Sequence, residues 1–220
     1  MRRLTSPDMA SPARRRLLGQ GGASLALMLL PLPACVPAEG TGAPRVLDIA
    51  LWAGAPASDA ELPRVDTVGG RNQNRRIRGP IRWRNPTTGE RLRVYERTKT
   101  GRRRQKRQLL TPTHGGQGLG RVLDERSDAP IRYFEDDIIF PLGPWRDRER
   151  RTFSAVEQTV VGPAPRRIEI FVRDLDFIFD DTPGALRYDW TARDAADRVI
   201  YRERYVYAPG RGLVAFEDLT

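Results

Sequence analysis

The chain has 220 residues, of which 39% are hydrophobic and 30% are charged, and this composition excludes a collagen-like repeat and a polytopic membrane protein. Thirty-eight Lys and Arg residues against 28 Asp and Glu residues give a net charge of +10, which favours anionic partners. The single Cys and single His exclude a Cys/His zinc site, an iron–sulfur cluster and an internal disulfide, and we expect neither a metal nor another cofactor.

The first 34 residues are typical of an export signal. Five arginines precede residue 17, and an apolar run over residues 23–30 follows and ends at Pro31. A helix that spans a bilayer needs about 20 apolar residues, so this run is too short. A basic start followed by a short apolar run predicts a secretory signal peptide over residues 1–34.

Part of this segment resembles the twin-arginine export motif, in which an arginine pair and any residue are followed by two apolar residues. The matching residues are Arg14, Arg15, Leu17 and Leu18. The resemblance implies export by the twin-arginine route, with the general secretory route as the alternative.

The end of the segment, Leu32-Pro33-Ala34-Cys35, resembles a bacterial lipobox. Pro33 departs from the pattern, which usually has a small or β-branched residue there. The resemblance implies that the Cys35 thiol is acylated and that cleavage leaves Cys35 as the first mature residue. A lone Cys in an oxidising compartment has no disulfide partner in its own chain, which fits acylation. The alternative is an ordinary signal peptide with an incidental Cys.

Residues 35–45 combine this Cys with a stretch rich in Pro, Ala, Gly and Thr, which predicts a flexible tether. We expect residues 46–220 to form a single domain that faces the periplasm. Val36 and Pro37 lack the Asp that retains some lipoproteins at the inner membrane, so the resemblance favours the outer membrane.

The chain after the tether begins with two short predicted elements. Residues 46–52 predict a first element, and residues 58–61 predict a capped helical turn before Pro63.

From Arg75 onward, apolar and charged residues alternate. Ile77, Ile81 and Trp83 fall on one face of a strand, and after a turn Leu92 and Val94 alternate with arginines. This alternation predicts a hairpin with one apolar face and one cationic face.

Further strands follow at regular spacing. They are predicted over residues 105–110, 121–126, 131–140, 151–161, 167–173, 186–193, 199–207 and 213–216. In the strand over residues 199–207, Val199, Tyr201, Tyr205 and Tyr207 share a face, with Glu203 as the exception. No window carries a helical periodicity. The pattern predicts an all-β fold: an antiparallel sheet, sandwich or open curved barrel with few or no helices.

Two stretches of the second half resemble β-rich lipoproteins and periplasmic proteins of Gram-negative bacteria. They are Phe140-Pro141-Leu142 with Trp145, and the Tyr-rich tail over residues 205–214. The resemblance implies a curved antiparallel sheet and carries no catalytic residue.

The most distinctive feature of the predicted domain is a basic segment with seven cations and no acid. These cations are Arg97, Lys99, Arg102, Arg103, Arg104, Lys106 and Arg107. We expect the segment at a hairpin tip, projecting outward toward anionic lipid, lipopolysaccharide or an acidic envelope protein. Export makes nucleic acid a poor partner, and none is expected. The alternative is a soluble loop without a ligand.

Few residues are candidates for catalysis. A Ser-His-Asp site would need His114, and no Gly-x-Ser-x-Gly motif is present. Asp174, Asp176 and Asp180 share a predicted strand face, and Glu135–Asp137 form a second acidic cluster. We expect His114 to be structural or solvent-exposed, and the acidic clusters to be solvated or paired with arginines, so no catalytic residue is assigned.

These features predict a lipid-anchored envelope protein that acts as a non-enzymatic binding or interaction module in the periplasm. One alternative is a carrier of lipids or other hydrophobic ligands, with an apolar cavity lined by Trp190, Tyr188 and Phe171. A second alternative is an envelope hydrolase that uses the acidic clusters. A large apolar cavity favours the carrier, and convergent carboxylates favour the hydrolase.

Overall fold

The computed structural model describes residues 40–54, 61–66, 74–100 and 105–220. The elements of these ranges are β1 Thr41–Leu47, α1 Ile49–Ala53, β2 Glu61–Asp66, β3 Asn74–Arg84, β4 Arg91–Thr100, β5 Gln105–Thr113, β6 Gly118–Arg126, β7 Ala129–Pro141, β8 Gly143–Asp147, β9 Arg150–Thr159, β10 Gly162–Phe179, β11 Thr182–Arg193, β12 Val199–Ala208 and β13 Gly212–Asp218. A single 3-10 turn, His114–Gly116, precedes β6. The all-β prediction is confirmed.

Eleven strands form one antiparallel sheet, in the order β13-β12-β11-β10-β9-β7-β6-β5-β4-β3-β2. β8 leaves this sheet and pairs with β1, which places Thr41 opposite Asp147 and Leu47 opposite Gly143. Among the described strands, nothing pairs β13 with β2, so the sheet is open and is not a closed barrel.

The sheet curves so that its two halves face each other across α1. Trp52 of α1 packs against Tyr95 of β4, with ring centroids 6.2 Å apart, while α1 also contacts β12 and β13. The apolar core fills this concave side, and its largest fully buried side chains include Trp52, Trp145, Phe140, Tyr188 and Tyr207. Burial of these aromatic rings is the main stabilising contribution expected for such a sheet.

One end of the concave side is closed. Arg45 of β1 donates to the Gly184 carbonyl oxygen at 2.9 Å, and Gly54 after α1 lies against Gly212. Both contacts lie beside the β10–β11 and β12–β13 turns, at what we call the closed end. The opposite end carries the β6–β7 and β9–β10 turns, together with the ends of β4 and β5 at Thr100 and Gln105, and we call it the rim.

The predicted hairpin over β3 and β4 forms, but its faces differ from the prediction. The pairing register shifts between Arg78 and Ile81, so Ile77 joins the concave core while Ile81 and Trp83 lie on the convex face. There they pack against a small cluster that includes Val94. The apolar face of this hairpin is therefore convex, and the cationic face is concave.

The predicted tether over residues 35–45 is too long, because β1 begins at Thr41. The predicted element over residues 46–52 is divided between β1 and α1. Asp48 separates them, since its Oδ1 accepts a hydrogen bond from the Leu51 N–H at 3.0 Å and caps the helix. Gly54, with φ of 79°, ends the helix in the left-handed region.

Several predicted residues lie outside the described ranges. They are Arg14, Arg15, Leu17, Leu18, Cys35, Arg102, Arg103 and Arg104, together with most of the predicted turn over residues 58–61. Among the described residues, no helix is long and apolar enough to cross a membrane.

Candidate functional site: a cationic cleft

A cleft of about 490 Å³ opens on the concave face, between β4–β7 on one side and β11–β13 on the other. This volume is within the range of small-molecule sites in proteins. The β4–β7 wall carries six cationic side chains: Arg97, Lys99, Lys106, Arg121, Arg126 and Arg132. The facing wall carries Tyr201, Glu203, Tyr205, Phe216 and Asp218. Ile139, Trp190, Tyr207 and Leu213 form an apolar floor.

The strand β6 brings three charges of the cleft together. Arg121, Asp124 and Arg126 interact with one another, although strict alternation would place Arg121 and Asp124 on opposite faces. The register against β7 shifts between Arg121 and Leu123, and such a bulge turns the following side chains to the other face.

Asp124 is the centre of the first charge cluster and is fully buried. Its Oδ2 accepts hydrogen bonds from Arg121 Nη1 at 2.8 Å and Gln108 Nε2 at 3.2 Å, and it lies 3.0 Å from Lys106 Nζ. Burial alone would raise the pKa of Asp124, but the charges of Lys106, Arg121 and Arg126 outweigh it and hold this pKa well below its usual range. Asp124 is therefore ionised and fixes the three cations along one wall.

The positive charge of the Lys106 ammonium is only partly balanced by Asp124. Burial, together with the like charges of Arg121 and Arg126, outweighs the attraction of Asp124 and lowers the pKa of Lys106 from 10.5 to about 8. Lys106 therefore keeps its charge near neutral pH, and an additional anion beside it would be stabilised.

A second charge cluster lies deeper, where β6, β7, β9 and β10 meet. Arg132 binds Glu157 through two hydrogen bonds of 2.7 and 2.8 Å, and Arg121 Nε donates to Asp137 Oδ2 at 2.8 Å. Arg166, which is 5% exposed, donates to Glu157 Oε2 at 3.3 Å and lies 3.9 Å from Asp137 Oδ1.

Arg166 remains poorly satisfied in this second cluster. Its Nε and Nη2, like Asp137 Oδ1, have no hydrogen-bond partner among the described residues. Burial and the nearby Arg121 and Arg132 outweigh the two carboxylates and lower the pKa of Arg166.

Positive charge exceeds negative charge in and beneath the cleft. Among the described residues, the six lining cations and Arg166 make seven, against the lining Glu203 and Asp218, the buried Asp124 and Asp137 and the half-buried Glu157, which make five. An excess of like charge in a partly buried site is costly, so this excess of positive charge favours binding of an anion.

The wall formed by β11–β13 carries aromatic side chains. The Tyr188 and Tyr205 rings stack with centroids 5.3 Å apart, and Tyr205 donates its hydroxyl hydrogen to Glu203. Tyr201 and Phe216 stay 40% and 46% exposed at the mouth, where their rings can cover an apolar part of a ligand. The sequence pattern made Glu203 the exception on the tyrosine-bearing face of β12. In the structure Glu203 lines the cleft together with these tyrosines.

The four described cations of the predicted basic segment, Arg97, Lys99, Lys106 and Arg107, do not form one outward patch. Arg97 is 6% exposed and donates to Gln108 Oε1 at 2.6 Å, while Lys99 and Lys106 line the cleft. Arg107 lies on the other face, where it binds Glu96 and Glu125. The expected outward projection is therefore wrong for Arg97 and Lys106, because the cationic face of β4–β5 is the concave one.

The predicted acidic face of β10 is paired with arginines. Asp174 lies 3.1 Å from Arg187 Nη1, Asp176 binds Arg45, and Asp180 lies 2.9 Å from Arg211 Nη1. Each carboxylate thus has its own partner, and the three do not converge on one point.

The carboxylates of the second predicted acidic cluster, Glu135–Asp137, also do not converge on one point. Glu135 Oε1 accepts a hydrogen bond from Gln158 at 2.7 Å, Asp136 binds Thr113, and Asp137 is buried beside Arg121. The three carboxylates serve three separate contacts.

His114 has a local structural role in its turn. Its Nε2 donates to the Asp136 carbonyl oxygen at 2.8 Å, and its ring lies 4.9 Å from the Phe153 ring. These contacts join the β5–β6 turn to β7 and β9.

The three aromatic residues expected to line an apolar cavity have different positions. Trp190 borders the cleft and donates to the Ile138 carbonyl oxygen at 2.7 Å, whereas Tyr188 is fully buried and donates to the Ile139 carbonyl oxygen at 2.6 Å. Phe171 lies beside Arg150 and Arg173 and is not among the residues that line the cleft.

Sequence reasoning missed Arg121, Arg126, Arg132 and Arg166 as site residues. Their shared position depends on pairing between strands and on the bulge in β6. The sequence does show an unusual number of arginines within the predicted strands. It does not show which of these arginines lie close together in the folded sheet.

Within the described ranges, no group of three or more His, Cys, Asp or Glu side chains is placed to hold a metal ion. Comparisons of the chain with protein-family models, with curated proteins and with solved structures found no significant match. The functional argument therefore depends on the cleft.

Proposed function

We propose that the protein is an exported, lipid-anchored envelope protein whose cleft binds an anionic ligand without catalysing a reaction. The observation that supports this proposal is the cleft of about 490 Å³, in and beneath which the described residues supply seven cations and five carboxylates. The lipobox resemblance at Cys35 supports the anchor and the periplasmic location, and the absence of Asp at Val36 and Pro37 supports the outer membrane.

The composition of the walls narrows the ligand class. The cationic wall is suited to a sulfate, phosphate or carboxylate group, because charged hydrogen bonds to arginine are about twice as strong as neutral ones. The apolar floor and the exposed rings of Tyr201 and Phe216 are suited to a short apolar group. The ligand that fits both is a small amphipathic anion.

A carrier of uncharged hydrophobic ligands is the second candidate, and the apolar floor with Trp190 favours it. A neutral amphiphile separates the two candidates, because it can use the floor but gains nothing from the cations.

The test uses the purified full chain with Cys35→Ser, which carries no acyl group. Octyl sulfate, inorganic sulfate and octyl glucoside are titrated in turn, with tryptophan fluorescence and calorimetry as readouts. We expect octyl sulfate to bind more tightly than either of the others.

The cleft is then tested with Lys106→Gln combined with Arg126→Gln. Charged hydrogen bonds contribute about 1.5–3 kcal/mol each, so the affinity for octyl sulfate should fall roughly tenfold or more. Arg148→Gln with Arg150→Gln removes the same charge from exposed positions at the closed end and should leave the affinity unchanged. Equal binding of octyl glucoside, or equal effects of the two double variants, would contradict the proposal.

A further inference from the structure

The second charge cluster, beneath the cleft, contains an unpaired hydrogen-bond acceptor beside unpaired donors. Asp137 Oδ1 and the Nε and Nη2 of Arg166 have no hydrogen-bond partner among the described residues. Both side chains are buried, that of Arg166 being 2% exposed and that of Asp137 0%. Buried polar groups are almost always hydrogen-bonded, because an unpaired one loses its contacts with water and gains nothing in return. The two side chains therefore have unused capacity to bind a ligand.

The spacing of these atoms fits one oxygen of a ligand. Asp137 Oδ1 lies 3.9 Å from Arg166 Nη1, which is too far for a direct hydrogen bond. An oxygen placed between them can lie about 2.8 Å from both. This oxygen has to accept a hydrogen from Arg166 and donate one to Asp137. A hydroxyl oxygen does both, whereas an oxygen that carries no hydrogen can only accept.

The rest of the Arg166 guanidinium is suited to a charged oxygen of the same ligand group. Nη1 already donates to Glu157 Oε2 at 3.3 Å, and Nε and Nη2 remain. The planar fork of an arginine matches the spacing of oxygens in phosphate and carboxylate groups. A group that combines a hydroxyl with a charged oxygen would therefore satisfy Asp137 and Arg166 together.

The Tyr201 ring lies between Arg166 and the cleft. The Arg166 guanidinium is held between two rings, with its Cζ 5.6 Å from the Phe134 centroid and 5.9 Å from the Tyr201 centroid. Phe134 is fully buried, whereas Tyr201 is 40% exposed and lines the cleft. Exposed side chains change rotamer within nanoseconds, so rotation of Tyr201 can admit the head group of a ligand to Arg166.

We propose that the cleft selects the singly protonated head group of a phosphate monoester, which donates its P–O–H hydrogen to Asp137 and accepts hydrogen bonds from Arg166. This inference rests on the proposed function, because it names the head group of the amphipathic anion. A phosphate monoester keeps one proton below about pH 6. A sulfate monoester and a phosphate diester have no hydrogen to donate, so the Asp137 carboxylate would repel their oxygens.

The test compares three ligands with the same octyl chain. At about pH 5.5 octyl phosphate, octyl methyl phosphate and octyl sulfate are each mostly singly charged, and only octyl phosphate has a hydrogen to donate. Each is titrated by calorimetry into the full chain with Cys35→Ser. We expect octyl phosphate to bind roughly tenfold or more tightly than the other two, because it alone gains a charged hydrogen bond to Asp137.

A variant tests the part that Arg166 plays. Arg166→Lys keeps the positive charge but removes the fork, so the preference for octyl phosphate over octyl sulfate should fall roughly tenfold. Arg173→Lys is the matched control, because Arg173 binds Asp189 and is not among the residues that line the cleft. Circular dichroism checks the fold. If Arg166→Lys does not fold, the comparison of the three ligands with the Cys35→Ser chain still decides.

The outcomes separate this inference from the proposed function. Equal affinities for the three octyl anions, or tighter binding of octyl sulfate, would overturn the selection and leave the proposed function intact. If none of the three binds, both are wrong. Inorganic phosphate should bind more weakly than octyl phosphate, because it lacks an apolar chain. Equal binding of these two would contradict an amphipathic ligand while supporting the selection of a protonated phosphate.

Discussion

The charge cluster around Asp124 leads us to predict that Asp124→Asn destabilises the folded protein. The substitution keeps the shape of the side chain but removes its charge, and it leaves Lys106 and Arg121 without their shared carboxylate. Removal of one partner from a buried ion pair costs about 3–5 kcal/mol, because the remaining charge stays desolvated. For a domain of this size each kcal/mol lowers Tm by about 2–4 °C, so Tm should fall by roughly 10 °C.

Urea unfolding followed by tryptophan fluorescence measures this loss as a change in the free energy of unfolding. Asp174→Asn is the matched control: Asp174 contacts Arg187 and Arg148 with its side chain 31% exposed, and surface pairs of this kind contribute about 0–1 kcal/mol. If Asp124→Asn costs no more than Asp174→Asn, Asp124 does not hold the cationic wall together and the reasoning is refuted.

Two further predictions concern the ligand and the anchor. The affinity for octyl sulfate should fall as pH rises from about 7 to about 9, because Lys106 loses its proton near its lowered pKa of about 8 beside Arg121, Arg126 and Asp124. Lys106→Arg keeps the charge and should remove this dependence; an unchanged pH profile in that variant would show that another group titrates. Cys35→Ala should release the protein from membrane fractions, and retention equal to that of the native chain would contradict acylation at Cys35.

Much of the fold was predictable because period-two alternation is a local signal. The strands β5 to β7 and β9 to β13 appear where alternation and turn residues place them. The sequence did not indicate β8 or the early start of β1, because these strands pair with each other although about a hundred residues separate them in the sequence.

The faces of the strands were harder to predict than the strands themselves. Leu92 and Val94 indicated the apolar face of the hairpin; they belong to a small convex cluster, and the main core lies on the side of Tyr95 and Arg97. Both faces of this hairpin carry arginines with partners on neighbouring strands. Only curvature of the whole sheet decides which face is concave, and that curvature is not visible in a local pattern.

The sequence indicated the positive charge of the candidate site but not which residues form it. An excess of cations near Arg97–Arg107 indicated an anionic partner, and Lys99 and Lys106 do line the cleft. The bulge in β6 and the meeting of β6, β7 and β10 determine which arginines join them.

The closed end and the rim lie far apart, and this separation limits how an acylated chain can be oriented. Thr41 pairs with Asp147, which in turn binds the Leu175 N–H, and Leu175 lies thirteen residues along β10 from Gly162. At about 3.3 Å per residue the interval is roughly 40 Å, whereas six residues from Cys35 to Thr41 reach at most about 20 Å. Fatty chains on Cys35 would then hold the closed end, and not the rim, next to the membrane.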